Sequence, residues 1–197
     1  MPIFRARKLI VHQFSAKLNA GKSALESIPW IVVFRAIIYL IFFRSKIAMQ
    51  LITELLNTAK QRSANKNLPY AGELSPQEAF DILRQDGNAV LIDVRSQAEL
   101  DLVGRVPNAI HIEWAFYPGM IANADFTAQL QSLAIQDKTI IFMCRTGGRS
   151  HNAAVVAQQL GYNQAYNMLE GFEGEANAAK QRTLINGWKH ANLPWTN

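Results

Sequence analysis

The stretch Thr139-Ile140-Ile141-Phe142-Met143-Cys144-Arg145-Thr146-Gly147-Gly148-Arg149-Ser150 decides how this chain folds. Its first five residues form a continuous apolar run of strand length, the pattern of a strand covered on both faces in a parallel sheet. Two glycines then permit a tight turn, and a helix is expected from about Ser150 to Leu160, closed by Gly161. Upstream, Ser75-Pro76-Gln77-Glu78 is a capping box with proline at the first helical position, which starts a helix running to about Gln85. Ala89–Val94 is a second buried run, Ala109–Ile112 a short strand, Asp125–Leu133 a helix and Gln164–Leu169 a last strand. Strands alternating with helices predict an α/β fold, a central parallel sheet with helices on both faces.

In such sheets ligands bind beyond the carboxyl ends of the strands, which is where Cys144 stands. A glycine loop can turn successive amide N–H groups inward, and the following helix N-terminus places partial positive charge behind them. Arg145 and Arg149 add full charges. Each of these favours a thiolate over a thiol, so Cys144 is expected to be a nucleophile in an anion-binding cradle of Arg145, Thr146, Gly147, Gly148, Arg149 and Ser150. The bland alternative is a buried cysteine serving as a small hydrophobe. Asp93 and Arg95 lie where the second strand gives out; Asp93 is read as a supporting hydrogen-bond partner and Arg95 as a partner of Glu99. Trp114, Phe116, Tyr117 and Pro118 are candidates for a pocket wall or for core, and His111 and His151 receive no role.

Composition supports a packed chain: 197 residues with 49% hydrophobic and 18% charged side chains, and only 11 Gly and 7 Pro. Cys144 is the only cysteine, which excludes an intramolecular disulfide or a multi-thiolate metal site and suits a reducing, cytoplasmic setting. The net charge of +5 is unevenly placed. Residues 1–60 hold nine Lys or Arg against Glu26 and Glu54, a surplus of seven, whereas residues 61–197 carry a deficit of two. The globular part has no basic footprint, and nucleic-acid binding is not expected.

Residues 1–68 read as an N-terminal extension and 69–197 as the globular domain, with the polar stretch 61–68 and Pro69 as the boundary. Residues 28–43 form the most apolar run, 16 residues long and interrupted by Arg35. A spanning helix needs about 20 apolar residues, so a clean span is disfavoured while an interfacial helix is not. The run begins too late for a signal peptide. An amphipathic helix is expected over 47–60, from the spacing of Ile47, Leu51, Ile52, Leu55 and Leu56. Two readings stay open for residues 1–48: an anchor making membrane-surface or protein contact through residues 28–60, and an upstream extension ahead of a start at Met49.

The loop resembles the active-site loop of the rhodanese family of single-domain sulfurtransferases, being similar to their Cys-x-x-Gly-x-Arg pattern in Cys144, Gly147 and Arg149 with Ser150 opening the helix. Leu91–Arg95 resembles the family's Asp-Val-Arg strand end, and Gly104–Ile110 its Gly-His-Ile-Pro-Gly-Ala segment, with Arg105 and Asn108 as departures. Gly187-Trp188 and Leu193-Pro194 resemble its C-terminal pairs, so the likeness covers about Leu74 to Trp195.

The resemblance implies a thiosulfate sulfurtransferase-like double displacement. Cys144 takes a sulfane sulfur from a small anionic donor such as thiosulfate, becomes a persulfide held by the loop amides, and gives the sulfur to a thiol or cyanide. No metal or organic cofactor is implied. Arg145 is the expected donor-attracting cation, and Arg149 the brace of the loop. Cysteine-dependent phosphatases carry Cys-x5-Arg, whereas Cys144 and Arg149 give Cys-x4-Arg, a smaller ring too tight for phosphate; that activity is the weaker alternative. A sulfur-carrier or partner-docking module without rapid turnover is the reading from another class.

Overall fold

A computed structural model describes residues 30–197. The chain divides after Ile47, and Ala48–Asn197 forms one compact unit. In order along the chain come α1 (Trp30–Lys66), β1 (Gly72–Leu74), α2 (Pro76–Gln85), β2 (Ala89–Asp93), α3 (Gln97–Val103) and β3 (Ile110–His111). There follow β4 (Ala115–Phe116), β5 (Ile121–Ala122), α4 (Phe126–Ser132), β6 (Thr139–Met143), α5 (Gly148–Gln159) and β7 (Ala165–Met168). The main sheet has the order β1-β7-β6-β2-β3 with every pairing parallel, and β4 with β5 makes a small antiparallel hairpin.

The period-two alternation of strand side chains sorts the core into two layers. Ile140 and Phe142 of β6, Ile92 of β2 and Ala165 of β7 face α4 and α5, meeting Phe126, Leu130, Ala153, Ala154 and Ala157. Ile141 and Met143, Leu91, and Tyr166 and Met168 face the other way, toward Ala79 and Ile82 of α2 and Ala59 of α1. All five residues of β6 are buried, which is why that strand reads as an unbroken apolar run. Helices therefore cover both faces, and β6 lies in the middle with its carboxyl end leading into Cys144.

The capping box at Ser75 forms as its spacing requires: the Ser75 hydroxyl accepts from Glu78 N–H while the Glu78 carboxylate accepts from Ser75 N–H. Ser96 and Glu99 build a second box on α3. Two departures from the sequence expectation concern the first helix and the boundary. Helix α1 does not stop at Lys60; its last turns are the polar stretch expected to be a linker. Arg62 donates two bonds to the Glu78 carboxylate at 2.6 and 2.8 Å, the Ser63 hydroxyl donates to the Tyr70 carbonyl at 2.6 Å, and Lys66 pairs with Glu73 at 2.6 Å. The polar residues are used as docking contacts, so the compact unit begins at Ala48 and not at residue 69. The part of the extension read over residues 1–29 lies outside the described residues. Among the described residues no helix is long and apolar enough to cross a membrane.

Candidate active site

The site is assembled at the junction of β6 and α5. β6 delivers Cys144 to the end of the sheet, and Gly147 caps α5 in a left-handed conformation, φ 98°. At that angle a side chain is strained, and a Cβ would also meet Glu170 N at 3.4 Å. Gly147 N–H points back to the cysteine and donates to Sγ at 3.1 Å, while the Ser150 hydroxyl lies 3.4 Å from the same sulfur. The sulfur thus rests against the N-cap amide just ahead of a twelve-residue helix, where the aligned peptide dipoles favour negative charge. Gly148 differs from Gly147: it is already helical, with nothing within 4 Å of where a Cβ would stand. The loop needs one glycine for its conformation, not two.

Cys144 itself is 1% exposed, a deeper setting than an open cradle. Arg145, Thr146 and Gly148 are exposed around it, and Ser150 is buried beneath it. Arg145 has no ion-pair partner among the described residues. Arg149 is committed: its guanidinium donates to both oxygens of Glu99, at 2.6 and 2.7 Å. Burial alone would raise the Glu99 carboxyl. The Arg149 bonds, together with the Ser96 backbone bond, outweigh it and hold that carboxyl at about 2, well below the ordinary carboxylate value. Burial likewise pulls Arg149 down, and the Glu99 pair, with lesser help from the nearby Cys144 and Asp93 charges, raises it above the ordinary arginine value.

Arg95 does not pair with Glu99 as the sequence suggested. Fully buried, it turns back to Asp93, donating from Nε and Nη2, with the closest contact at 2.6 Å. A charge with no exposure needs its counter-ion at hand, and Glu99 is already taken by its cap and by Arg149. The Arg95 guanidinium also lies 4.0 Å above the Phe172 ring, and Phe172 N–H donates to the Cys144 carbonyl at 2.8 Å. Asp93 and Arg95 therefore reach the loop through Phe172. His111 bonds through Nε2 to the Arg95 carbonyl at 2.8 Å, and His151 is hydrogen-bonded through Nδ1 to the Tyr70 hydroxyl at 2.7 Å.

The sequence reading missed two contributors, Glu99 as the partner of Arg149 and the segment Gly171–Gly174. Glu99 has a signal, the Ser96-x-x-Glu99 box, which places its carboxylate at the start of α3. Gly171 has φ 66°, and a Cβ there would stand 2.5 Å from the Cys144 carbonyl oxygen and the Thr146 nitrogen. The segment it belongs to buttresses the loop, since Glu173 N–H and Gly174 N–H both donate to the Arg145 carbonyl. Gly171-Phe172-Glu173-Gly174, directly after the last strand, is the pattern that marks it. The aromatic wall is not brought to Cys144: Trp114 packs edge-on against Phe126, 4.9 Å between centroids, and Phe116 lines a separate cavity with His111, Glu113 and Gln129. Among the described residues no cluster of His, Cys, Asp and Glu could hold a metal ion.

The model of the rhodanese-like domain matches residues 75–178, which includes both ends of the loop and its buttress. The chain belongs to the rhodanese-like family. A Rickettsia conorii protein, RC0915, is 37% identical over 121 residues, 60% of this chain and 91% of that one. The protein named thiosulfate sulfurtransferase GlpE from Actinobacillus succinogenes is 30% identical over 122 residues, 62% of this chain and 87% of its own. Among solved structures, Rv0390 from M. tuberculosis superposes with a TM-score of 0.58 at 38% identity, covering 64% of this chain and 98% of that one. Each of these three matches covers less than two thirds of this chain.

Proposed function

We propose that the rhodanese-like domain transfers sulfane sulfur through a persulfide on Cys144. The observation that carries this reading is the seating of Cys144 Sγ at 3.1 Å from Gly147 N–H, at the amino end of α5, with the Ser150 hydroxyl beside it. The Cys144 thiolate attacks the outer sulfur of a donor such as thiosulfate. A new sulfur–sulfur bond forms, the donor's own sulfur–sulfur bond breaks, and sulfite leaves with the bonding electrons. The terminal sulfur of the persulfide then carries the negative charge, in a place where a backbone amide and a helix dipole are already arranged to receive it. A thiolate or cyanide attacks that terminal sulfur, takes it, and returns Cys144 to the thiolate. Arg145, exposed at the loop rim, is suited to draw in an anionic donor; Arg149, clamped by Glu99, is suited to brace the loop.

The 1% exposure of Cys144 favours a second reading, a carrier or docking module that does not turn donors over rapidly. Intact-protein mass separates transfer from docking, and the rate at which cyanide removes the added sulfur separates transfer from carriage. After incubation with thiosulfate and removal of excess donor, the protein is expected to gain the mass of one sulfur atom, and Cys144→Ser to gain none. A native protein that never gains the sulfur would overturn the transfer reading.

A further inference from the structure

Ten large apolar side chains between Val32 and Phe43 stand in solvent, from 36% exposed at Val33 to 72% at Phe42. They do not form one face. At 100° per residue the consecutive Leu40, Ile41, Phe42 and Phe43 already circle the helix, each at least half exposed. A protein partner laid against one side of such a helix would leave the other sides wet, whereas a hydrocarbon phase covers all of them at once. The surrounding charge has one sign. No Asp or Glu occurs from Trp30 to Thr53, a stretch that contains Arg35, Arg44 and Lys46. Arg44 and Lys46 follow the apolar ring directly, the order expected where a helix passes from acyl chains to phosphates. Val32 to Phe43 rises only ~18 Å, against a hydrocarbon thickness of ~30 Å.

We infer that the helical segment from Val32 to Lys46 docks on an anionic lipid surface, its apolar ring within one leaflet and Arg44 and Lys46 at the headgroup phosphates. This does not rest on sulfur transfer. It accounts for the placement of the surplus positive charge outside the catalytic part.

The test is flotation of the full chain. Detergent-solubilised protein is mixed with vesicles of phosphatidylcholine alone, or of phosphatidylcholine and phosphatidylserine in equal parts; detergent is removed, and the samples are spun through a density gradient. The native chain is expected to float with the anionic vesicles and to stay with them through an alkaline carbonate wash, because its apolar ring is held by acyl chains. Arg44→Gln/Lys46→Gln should weaken partition into the anionic vesicles by at least about tenfold, leaving partition into the neutral ones unchanged. Phe34→Glu/Phe42→Glu should stay at the bottom with either lipid, with a thermal melt of the catalytic unit like the native one. Survival of residues 1–29 against trypsin added outside the vesicles, under conditions that digest the rest of the chain, would assign a spanning helix and overturn surface docking. A native chain that stays at the bottom and scatters light as a dimer would overturn it too, assigning the apolar ring to a second copy.

Discussion

At the scale of single residues, the two adjacent glycines of the loop are unequal. Gly147 has a positive φ and a close neighbour, whereas Gly148 is an exposed helical residue with open space around its Cα. Gly147→Ala should therefore cost about 1 to 2 kcal/mol in urea unfolding, and should displace the amide that faces Cys144, lowering persulfide formation. Gly148→Ala should be neutral or stabilising by up to about 1 kcal/mol, because only the unfolded chain loses freedom. Equal effects at the two positions would contradict this division. Sequence reading could find Cys144, Gly147, Arg149 and Ser150 because they are contiguous, and a strand followed by a glycine turn and a helix leaves few places for them to go. It could not decide which carboxylate each arginine takes. Arg95 and Arg149 both lie within reach of acidic residues in the primary structure and in the fold, and the choice follows from burial: Arg95 has no exposure and claims Asp93, leaving Glu99 to Arg149.

At the scale of elements, that choice ties α3 to α5 across the mouth of the loop. Glu99 works twice, as the reciprocal half of the Ser96 cap and as the counter-ion of Arg149. Its carboxyl titrates at about 2 in the folded chain and near the ordinary carboxylate value when unfolded, so the charged form is bound more strongly by the native state. The stability it contributes is full above pH ~4.5 and is lost as the pH falls toward ~2. Glu99→Gln keeps the size but loses the charge, and it should cost about 2 kcal/mol at pH 7. The difference between native and variant, followed by urea unfolding at a series of pH values, should shrink through that acid window. A constant difference down to pH 2 would mean the carboxylate is not the group responsible. The elements themselves were legible wherever one principle dominated: the unbroken apolar runs for β2 and β6, the Ser-Pro-x-Glu spacing for α2. The hairpin of β4 and β5 was not, since four residues with partly exposed side chains carry no period.

At the scale of the whole molecule, the boundary between extension and compact rhodanese-like unit runs through a helix, and this is where a polar, aperiodic stretch misleads. Gln61 to Lys66 has the composition of a linker, but three of its side chains reach partners contributed by β1, α2 or the segment before them. Arg62 finds Glu78, Ser63 the Tyr70 carbonyl, and Lys66 finds Glu73. One turn earlier the packing is closer still. Ala59 is fully buried, and a Cβ on Gly72 would stand 2.6 Å from its backbone carbon, so helix and strand meet where neither carries bulk. Leu55 and Leu56 extend that contact over the layer formed by Leu74, Ala79 and Ile82. A chain shortened to residues 48–197 keeps all of this and should unfold in one transition with a midpoint close to that of the rhodanese-like unit in the full chain. A chain shortened to residues 69–197 uncovers the layer and leaves Glu73 and Glu78 without their cations. It should be destabilised by about 3 kcal/mol or more, read as a lower urea midpoint together with a smaller slope. Equal midpoints for the two would show that the last turns of α1 contribute nothing to the rhodanese-like unit and that it begins at Pro69.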